Sequence, residues 1–228
     1  MTVNVKLLMG QFVYQLLFFT LILFLPAGTI VWPAGWVFLV LCFSFGTAIT
    51  LWLFRYNPGL LKERMTITRL DQKAWDKAWI ALMYVVFSVW LILMPLDAVR
   101  FHWSQMPVWL QVVGAIILLY SFYLFFITFR ENSYLSPMIR IQRDRGQTVV
   151  STGPYRYVRH PMYAATLLFL IGTTLLLGSW YGLLVGLILV GGMIAGRAVL
   201  EERMLREGLE GYDSYMTQVK YRLIPHIW

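Results

Sequence analysis

Residues 151–200 read STGPYRYVRHPMYAATLLFLIGTTLLLGSWYGLLVGLILVGGMIAGRAVL, and this stretch decides the fold. The run from Pro161 to Gly196 is uncharged. As one helix at ~1.5 Å per residue it would be about 54 Å long, nearly twice the ~30 Å hydrocarbon thickness of a bilayer. The run must therefore fold back on itself, and Gly178-Ser179 is the natural break.

Charged residues stand at both ends of this predicted hairpin. Arg159 and His160 precede it, and Arg197, Glu201 and Glu202 close it. If the open end faces one membrane surface, these groups converge there. We expect the small residues of the hairpin to let its two helices pack closely; they are Gly172, Gly182, Gly186, Gly191, Gly192 and Gly196.

The mouth of the hairpin suits a ligand that carries both a carboxylate and positive charge. The first N–H groups of a helix that begins at Pro161 are unpaired and lie at the positive end of its dipole, which favours an anion. The paired acids on the other side favour a cation. A simpler interpretation is equally open here, in which Arg159 and His160 only anchor the chain at the membrane surface and Glu202 pairs with Arg206.

Four motifs occur in a fixed order in the last eighty residues. GPYRYVRHPMYA at 153–164 is followed by EERML at 201–205, YDSY at 212–215 and YRLIP at 221–225. Together they resemble the isoprenylcysteine carboxyl methyltransferase and phospholipid methyltransferase superfamily of integral membrane enzymes. The resemblance implies S-adenosylmethionine as the methyl donor.

The same resemblance assigns roles to residues of the hairpin mouth. His160 and the helix start at Pro161 would hold the cofactor near its carboxylate, and Glu201 or Glu202 would take its ammonium group or ribose hydroxyls. Adjacent helical positions differ by about 100°, so we expect one of the two glutamates to point inward. The cofactor pocket would further include Tyr157, Tyr163, Tyr212 and Tyr215, with Tyr155 and Arg156 as additional wall candidates.

Three residues are candidates for the catalytic step, namely Arg159, Arg197 and Glu201. Arg197 either pairs with Glu201 or clamps a carboxylate of the substrate, and Arg159 is a second candidate clamp. Methyl transfer from a sulfonium mainly requires positioning and exclusion of water, so neither a metal ion nor a nucleophilic side chain is needed. We therefore predict no metal site, and the single cysteine, Cys42, makes a cysteine-based zinc site implausible.

The composition is that of a polytopic membrane protein. The 228 residues are 59% hydrophobic and 13% charged, and the mean hydropathy is +0.66. We predict an all-α fold with about six transmembrane helices, a C-terminal helical hairpin and a cytosolic cofactor-binding tail. The first four predicted spans are 12–32, 36–54, 78–96 and 108–129, and the hairpin supplies the other two.

The basic residues sort by membrane side. Counted from the amino end, the successive loops hold one, none, six, one, six, none and five Lys or Arg. Because positive loops stay inside, both termini and the hairpin mouth are predicted to be cytoplasmic. This pattern explains the net charge of +8 without nucleic acid as a partner.

The chain divides into two predicted portions. Residues 1–129 would form four transmembrane helices with a basic cytosolic loop, and residues 130–228 the catalytic portion. Within the latter, 130–158 is expected to be an ordered loop with short extended pieces. The tail should continue the last helix, turn at Gly208 or Gly211, and form a short surface helix.

The predicted activity is methyl transfer to a lipid-like acceptor that enters from the bilayer, with an isoprenylcysteine carboxylate as the first choice. A phospholipid amine is an alternative acceptor. An RHPxY-like motif and a YRLIP-like ending also occur in NADPH-dependent sterol reductases, and a noncatalytic scaffold or transporter is a third class. EERML favours the methyltransferase.

Overall fold

The computed structural model describes residues 5–65 and 74–228, and helices dominate this part of the chain. Its helices are α1 (Val5–Ala27), α2 (Pro33–Tyr56), α3 (Pro58–Met65), α4 (Ala74–Pro95), α5 (Val108–Glu131), α6 (Pro161–Leu177), α7 (Trp180–Val185), α8 (Gly191–Gly208) and α9 (Tyr212–Gln218). A π-helical turn, Leu96–Arg100, extends α4. A second one, Gly186–Val190, joins α7 to α8, so that residues 180–208 form one continuous helix.

Five helices are long and apolar enough to cross a membrane. They are Lys6–Ala27, Pro33–Tyr56, Ala74–Arg100, Val108–Glu131 and Trp180–Gly208. The apolar helix α6 has 17 residues, or about 26 Å at ~1.5 Å per residue, slightly less than the hydrocarbon thickness. The expected all-α, polytopic membrane fold is confirmed.

The bounds of the first span differ from the prediction. The helix covers Val5–Ala27 rather than 12–32, because Gly28 takes a left-handed conformation (φ +71°) and Pro33 already begins α2. Glycine adopts such a φ without steric cost, and proline is favoured in the first turn of a helix. The two residues therefore place the turn between α1 and α2 earlier than hydropathy alone suggests.

The break in the hairpin lies where the sequence places it. Gly178 ends α6 with φ +82°, and the side chain of Ser179 accepts a hydrogen bond from the backbone N–H of Gly182 at 2.7 Å. This is a left-handed glycine stop followed directly by a serine N-cap. Local signals of this kind do not depend on the rest of the fold.

The glycines that meet the backbone of another helix most closely lie between α5 and α6, and the expected packing within the hairpin is present at Gly186. A Cβ atom at Gly114 on α5 would collide with the backbone of Leu176, and one at Gly172 on α6 would collide with the backbone of Leu118. Helices α5 and α6 thus approach each other through reciprocal glycines. Gly182 faces Met94 of α4, whereas Gly186 faces both Trp90 of α4 and Leu170 of α6, the other helix of the hairpin.

The helix bundle has two distinct ends. At the turn end, defined by residues 28–32, 101–107 and 178–179, the buried Asp97 accepts hydrogen bonds from the hydroxyls of Ser104 (2.7 Å) and Ser179 (2.5 Å). At the site end, defined by α3 and residues 132–160 and 197–228, the described parts of the basic loops come together. Residues 66–73 of the basic loop between α2 and α4 lie outside the described residues.

The site end is built from short and irregular elements. Residues 132–160 contain two 3₁₀ turns, Arg143–Arg145 and Gly153–Arg156. Helix α8 ends at Gly208, Gly211 adopts φ +82°, and α9 follows. The predicted turn and short helix of the tail are therefore present. The proposed division into residues 1–129 and 130–228 stays a prediction.

Candidate functional site

A cavity of about 490 Å³ runs from the site end into the helix bundle. This volume is in the ~300–1,000 Å³ range of small-molecule sites. Its polar half, at the site end, is lined by Tyr155, Arg159, His160, Tyr163, Arg197, Glu201, Tyr212 and Tyr215. Its apolar half, between the spanning helices, is lined by Phe87, Trp90, Phe125, Phe169, Leu170, Val190 and Ile194.

Glu202 is the centre of a buried ionic cluster beside the polar half. Its Oε1 lies 2.6 Å from Nε of Arg159 and 3.3 Å from Nε2 of His160, and its Oε2 lies 2.8 Å from Nε of Arg222. Glu202 as a whole is 3% exposed. Several well-placed donors are required to stabilise a carboxylate at this depth. Glu202 therefore stabilises the packing at the hairpin mouth.

The same cluster holds the C-terminal tail against the hairpin mouth. The guanidinium of Arg159 donates to the carbonyl oxygens of Val219 and Lys220, both at 2.8 Å. The backbone N–H groups of Arg159 and His160 donate to the carbonyls of Tyr221 and Arg222 at 2.9 Å. Helix α6, α8 and the tail thus share one hydrogen-bonded junction.

The simpler interpretation of these residues is wrong. Arg159 and His160 are buried, with 7% and 6% exposure, and are not membrane-surface anchors. Arg206 pairs with Asp213 at 2.9 Å, while Glu202 pairs with Arg159 and Arg222. The helical spacing of Glu202 and Arg206 permits an ion pair, but tertiary contacts give both residues other partners.

Tyr163 joins the two ends of the hairpin. Its hydroxyl donates to Oε2 of Glu201 at 2.6 Å and accepts from Nε of Arg197 at 3.2 Å. Arg197 also donates to Asp76 at 3.2 Å and to the carbonyl of Pro137 at 2.6 Å. The link between Arg197 and Glu201 therefore passes through the phenol of Tyr163.

Sequence reasoning missed two buried acids of the N-terminal half. Asp76 at the start of α4 pairs with Arg197, and Glu63 on α3 pairs with Nε of Arg140 at 3.2 Å. Both acids are at most 2% exposed. They hold the 132–150 segment over the cavity. The one local signal is that Glu63 lies one turn after Leu60 on the same short helix, and Leu60 is buried.

Three tyrosines form an aromatic wall of the polar half. The hydroxyl of Tyr215 donates to the carbonyl of Tyr155 at 2.8 Å, and that of Tyr155 accepts from Nδ2 of Asn132 at 2.8 Å. The buried hydroxyl of Tyr212 has no hydrogen-bond partner within the described part of the chain. Burial raises the pKa of all three hydroxyls above the usual value, so each stays protonated at neutral pH.

The predicted site residues fall into two groups. The cavity wall includes Arg159, His160, Tyr163, Arg197, Glu201, Tyr212 and Tyr215. Tyr157 is 70% exposed and does not line the cavity, whereas Tyr155, two positions earlier, does. Pro161, Arg156 and Glu202 also lie outside the lining, and Glu201 is the glutamate that faces inward. The individual roles assigned to these residues stay predictions.

In residues 5–65 and 74–228, no group of three or more His, Cys, Asp or Glu side chains is placed to hold a metal ion. The polar half instead combines carboxylate, imidazole, guanidinium and phenol groups. Such a set can bind a polar organic molecule through hydrogen bonds and aromatic contact.

Comparison with known protein families gives one match that coincides with this site. Residues 110–210 match the family described as phospholipid methyltransferase, from the first turn of α5 to just beyond α8. This segment is similar to the phospholipid methyltransferase family. The resemblance of the sequence to the wider superfamily is thereby confirmed. A comparison with curated proteins found no match.

The family match and the fold agree with each other. The matched residues of this methyltransferase family supply α5, α6 and the continuous helix 180–208, which together form much of the cavity wall. The spanning helices indicate a multi-pass membrane protein. The chain therefore combines a membrane bundle with a segment that matches a methyltransferase family.

Proposed function

We propose that this protein transfers a methyl group from S-adenosylmethionine to a lipid-like acceptor, most simply a carboxylate such as that of an isoprenylcysteine. One observation carries this proposal. A single cavity has a polar half at the site end and an apolar half inside the helix bundle. A soluble donor and a hydrophobic acceptor can meet in a cavity of this kind.

The residues of the polar half fit S-adenosylmethionine. Glu201 is a partly accessible carboxylate that suits an ammonium group or ribose hydroxyls, and the unpartnered hydroxyl of Tyr212 is a free donor or acceptor. A buried polar group without a partner costs about 1–3 kcal/mol, which a ligand can offset. The faces of Tyr155 and Tyr215 suit a sulfonium through cation–π attraction.

When bound, S-adenosylmethionine supplies a methyl group activated by its positively charged sulfur. The residues of this chain then orient reactants and exclude water. Tyr163 holds Glu201 by a 2.6 Å hydrogen bond, and the Glu202 cluster fixes the tail over the mouth. Because an anionic carboxylate is already a competent nucleophile, this acceptor requires no general base.

The apolar half favours an acceptor with a hydrophobic tail. Its aromatic and aliphatic walls come from α4, α5, α6 and the 186–194 region. Burial of each methylene contributes about 0.8 kcal/mol. The family description names phospholipids, which favours a phospholipid amine as the second candidate acceptor.

The direct test is titration of the purified protein with S-adenosylmethionine and, separately, with NADPH. The proposal expects saturable binding of the first alone. Binding of NADPH alone would instead favour the sterol reductase class, and binding of neither would favour a scaffold or transporter.

A second test compares acceptors by transfer of labelled methyl groups in liposomes. A farnesylcysteine derivative should be methylated far better than the same cysteine derivative without its chain, since removal of even four buried methylenes costs on the order of a hundredfold in affinity. Equal transfer to both would contradict entry of the acceptor through the apolar half.

A further inference from the structure

The positively charged side chains that line the cavity differ in how they are neutralised. Arg140 pairs with Glu63, Arg159 and His160 contact Glu202, and Arg197 pairs with Asp76. Each of these cations is neutralised by an acidic side chain of the same protein. These ion pairs stabilise the structure of the site.

Arg64 on α3 is the exception. It lines the same cavity, and within residues 5–65 and 74–228 no carboxylate lies within ion-pair distance of it. Its guanidinium carbon lies 4.7 Å from the centre of the Phe129 ring. Stacking on an aromatic face leaves the in-plane N–H groups of a guanidinium free to donate.

The position of Arg64 is fixed by its own helix. The amide of Leu60 donates to Oδ1 of Asn57 at 3.2 Å, which caps α3, and Nδ2 of Asn57 donates to Ser133 at 2.8 Å. The adjacent Glu63 is buried against Arg140 and Ser136. Helix α3 is therefore anchored on the 132–150 segment, which places the exposed side chain of Arg64 at the wall of the cavity.

The apolar cluster that Arg64 contacts reaches the wall of the cavity. The lining of the cavity also includes Ile80, Met83 and Tyr84 of α4 and Phe125 of α5. Phe125 packs against the same apolar cluster as Phe129, the ring on which Arg64 stacks. An anion that binds Arg64 would thus have apolar wall beside it for a hydrophobic tail.

The described wall of the cavity holds a single acidic side chain. Glu201 is the one carboxylate among the lining residues that the structure describes, and Tyr163 already binds it in the polar half. A cationic acceptor would therefore find no further acid on the described wall. An anionic acceptor finds Arg64, which suits the planar, two-oxygen geometry of carboxylate and phosphate groups.

We propose that Arg64 binds the anionic group of the methyl acceptor and thereby selects hydrophobic acceptors that carry a carboxylate or a phosphate. This inference rests on the proposed function, because it assigns the acceptor end of the same cavity. It also separates the roles of the arginines: Arg159 and Arg197 hold the site together, and Arg64 contacts substrate.

The experiment measures binding of matched ligand pairs to wild type and to Arg64→Met in nanodiscs. One pair is an N-acetylated farnesylcysteine and its methyl ester, which differ by a carboxylate charge. The other is lysophosphatidic acid and the corresponding monoacylglycerol, which differ by a phosphate. Lys62→Met on the same helix is the control, because Lys62 does not line the cavity.

Wild type and Lys62→Met should bind the charged member of at least one pair about ten- to hundredfold more tightly, as expected for a charge-assisted hydrogen bond. Arg64→Met should lose that preference while its affinity for the uncharged member stays the same. Arg64→Lys should retain part of it. The pair that shows the effect identifies the anion as carboxylate or phosphate.

The inference is overturned if wild type prefers neither charged ligand, or if Arg64→Met keeps the same preference as wild type. Binding of S-adenosylmethionine to the same samples separates this result from the proposed function. Arg64→Met should bind it as wild type does, which also shows that the variant is folded. Failure of wild type to bind it contradicts the proposed function, whereas an Arg64-dependent preference would still support the anion site.

Discussion

Nε of Arg159 lies 2.6 Å from Oε1 of Glu202, although 43 positions separate the two residues in the sequence. Arg159 precedes α6 and Glu202 lies in the second half of α8, so this ion pair closes the open end of the hairpin. The side chains of both residues are about 5% exposed. The contact connects the RHP and EERML motifs and brings the tail against them.

Arg159→Met should destabilise the protein by about 3–5 kcal/mol, because it leaves a buried carboxylate short of a donor and frees two carbonyls of the tail. The measurement is denaturant unfolding in detergent. Arg206→Met is the matched control, since its pair with Asp213 is 58% and 69% exposed and should contribute about 1 kcal/mol or less. Equal losses in the two variants would contradict a structural role of Arg159.

Glu201→Gln should weaken binding of S-adenosylmethionine about ten- to hundredfold with little change in stability, because Glu201 faces the cavity and offers its charge to a ligand. Isothermal titration calorimetry measures the affinity. Glu207→Gln, an exposed change on the same helix, is the control. Unchanged affinity in Glu201→Gln would remove this residue from the donor site.

Tyr212→Phe should weaken binding of the same cofactor about two- to tenfold, which corresponds to the loss of one neutral hydrogen bond. The apo protein should keep its stability, since the Tyr212 hydroxyl has no partner in the part of the chain that the structure describes. Tyr221→Phe, whose hydroxyl lies 3.1 Å from His226 outside the cavity, should bind as wild type does. A loss of stability without a loss of affinity in Tyr212→Phe would show that the hydroxyl serves the fold.

Gly114→Ala should destabilise the bundle by about 1–3 kcal/mol, because the added methyl group would collide with the backbone of α6, which cannot rotate away as a side chain can. Thermal unfolding in detergent measures the effect. Gly46→Ala in α2 meets nothing within 4 Å and serves as the control. If both variants melted at the same temperature, the close approach of α5 and α6 would be wrong.

Single cysteines at Gln105 and Ser214 in a Cys42→Ser background should react with an impermeant thiol reagent from opposite sides of the membrane. Gln105 is exposed at the turn end and Ser214 at the site end. The distribution of basic residues predicts that Ser214 lies in the cytosol, because positive loops stay inside. Reaction of both positions from the same side would contradict the proposed orientation and a cytosolic site.

The sequence by itself predicts the membrane class, a bundle of about six apolar helices and the hairpin break. These features follow from local physics: the length of an apolar run is compared with the bilayer thickness, and Gly178 can adopt the φ of +82° that ends α6. The motifs around His160 and Glu201 also identify the superfamily, which the match of residues 110–210 confirms.

The sequence did not predict which side chains face the cavity. Tyr155 lines it and Tyr157 does not, and Glu201 lines it while Glu202 is buried in an ionic cluster. Neighbouring positions on a helix or turn point in different directions. Their orientation depends on the elements packed around them rather than on residue type.

The pairing of distant charges is decided by tertiary structure alone. Asp76 meets Arg197 across 121 positions, and Glu63 meets Arg140 across 77. In the sequence these acids look like solvated charges, because both lie in a stretch rich in Lys and Arg between two apolar runs. They become part of the site when the bundle brings α3 and α4 against the 132–150 segment, where burial makes each unpaired charge too costly to keep.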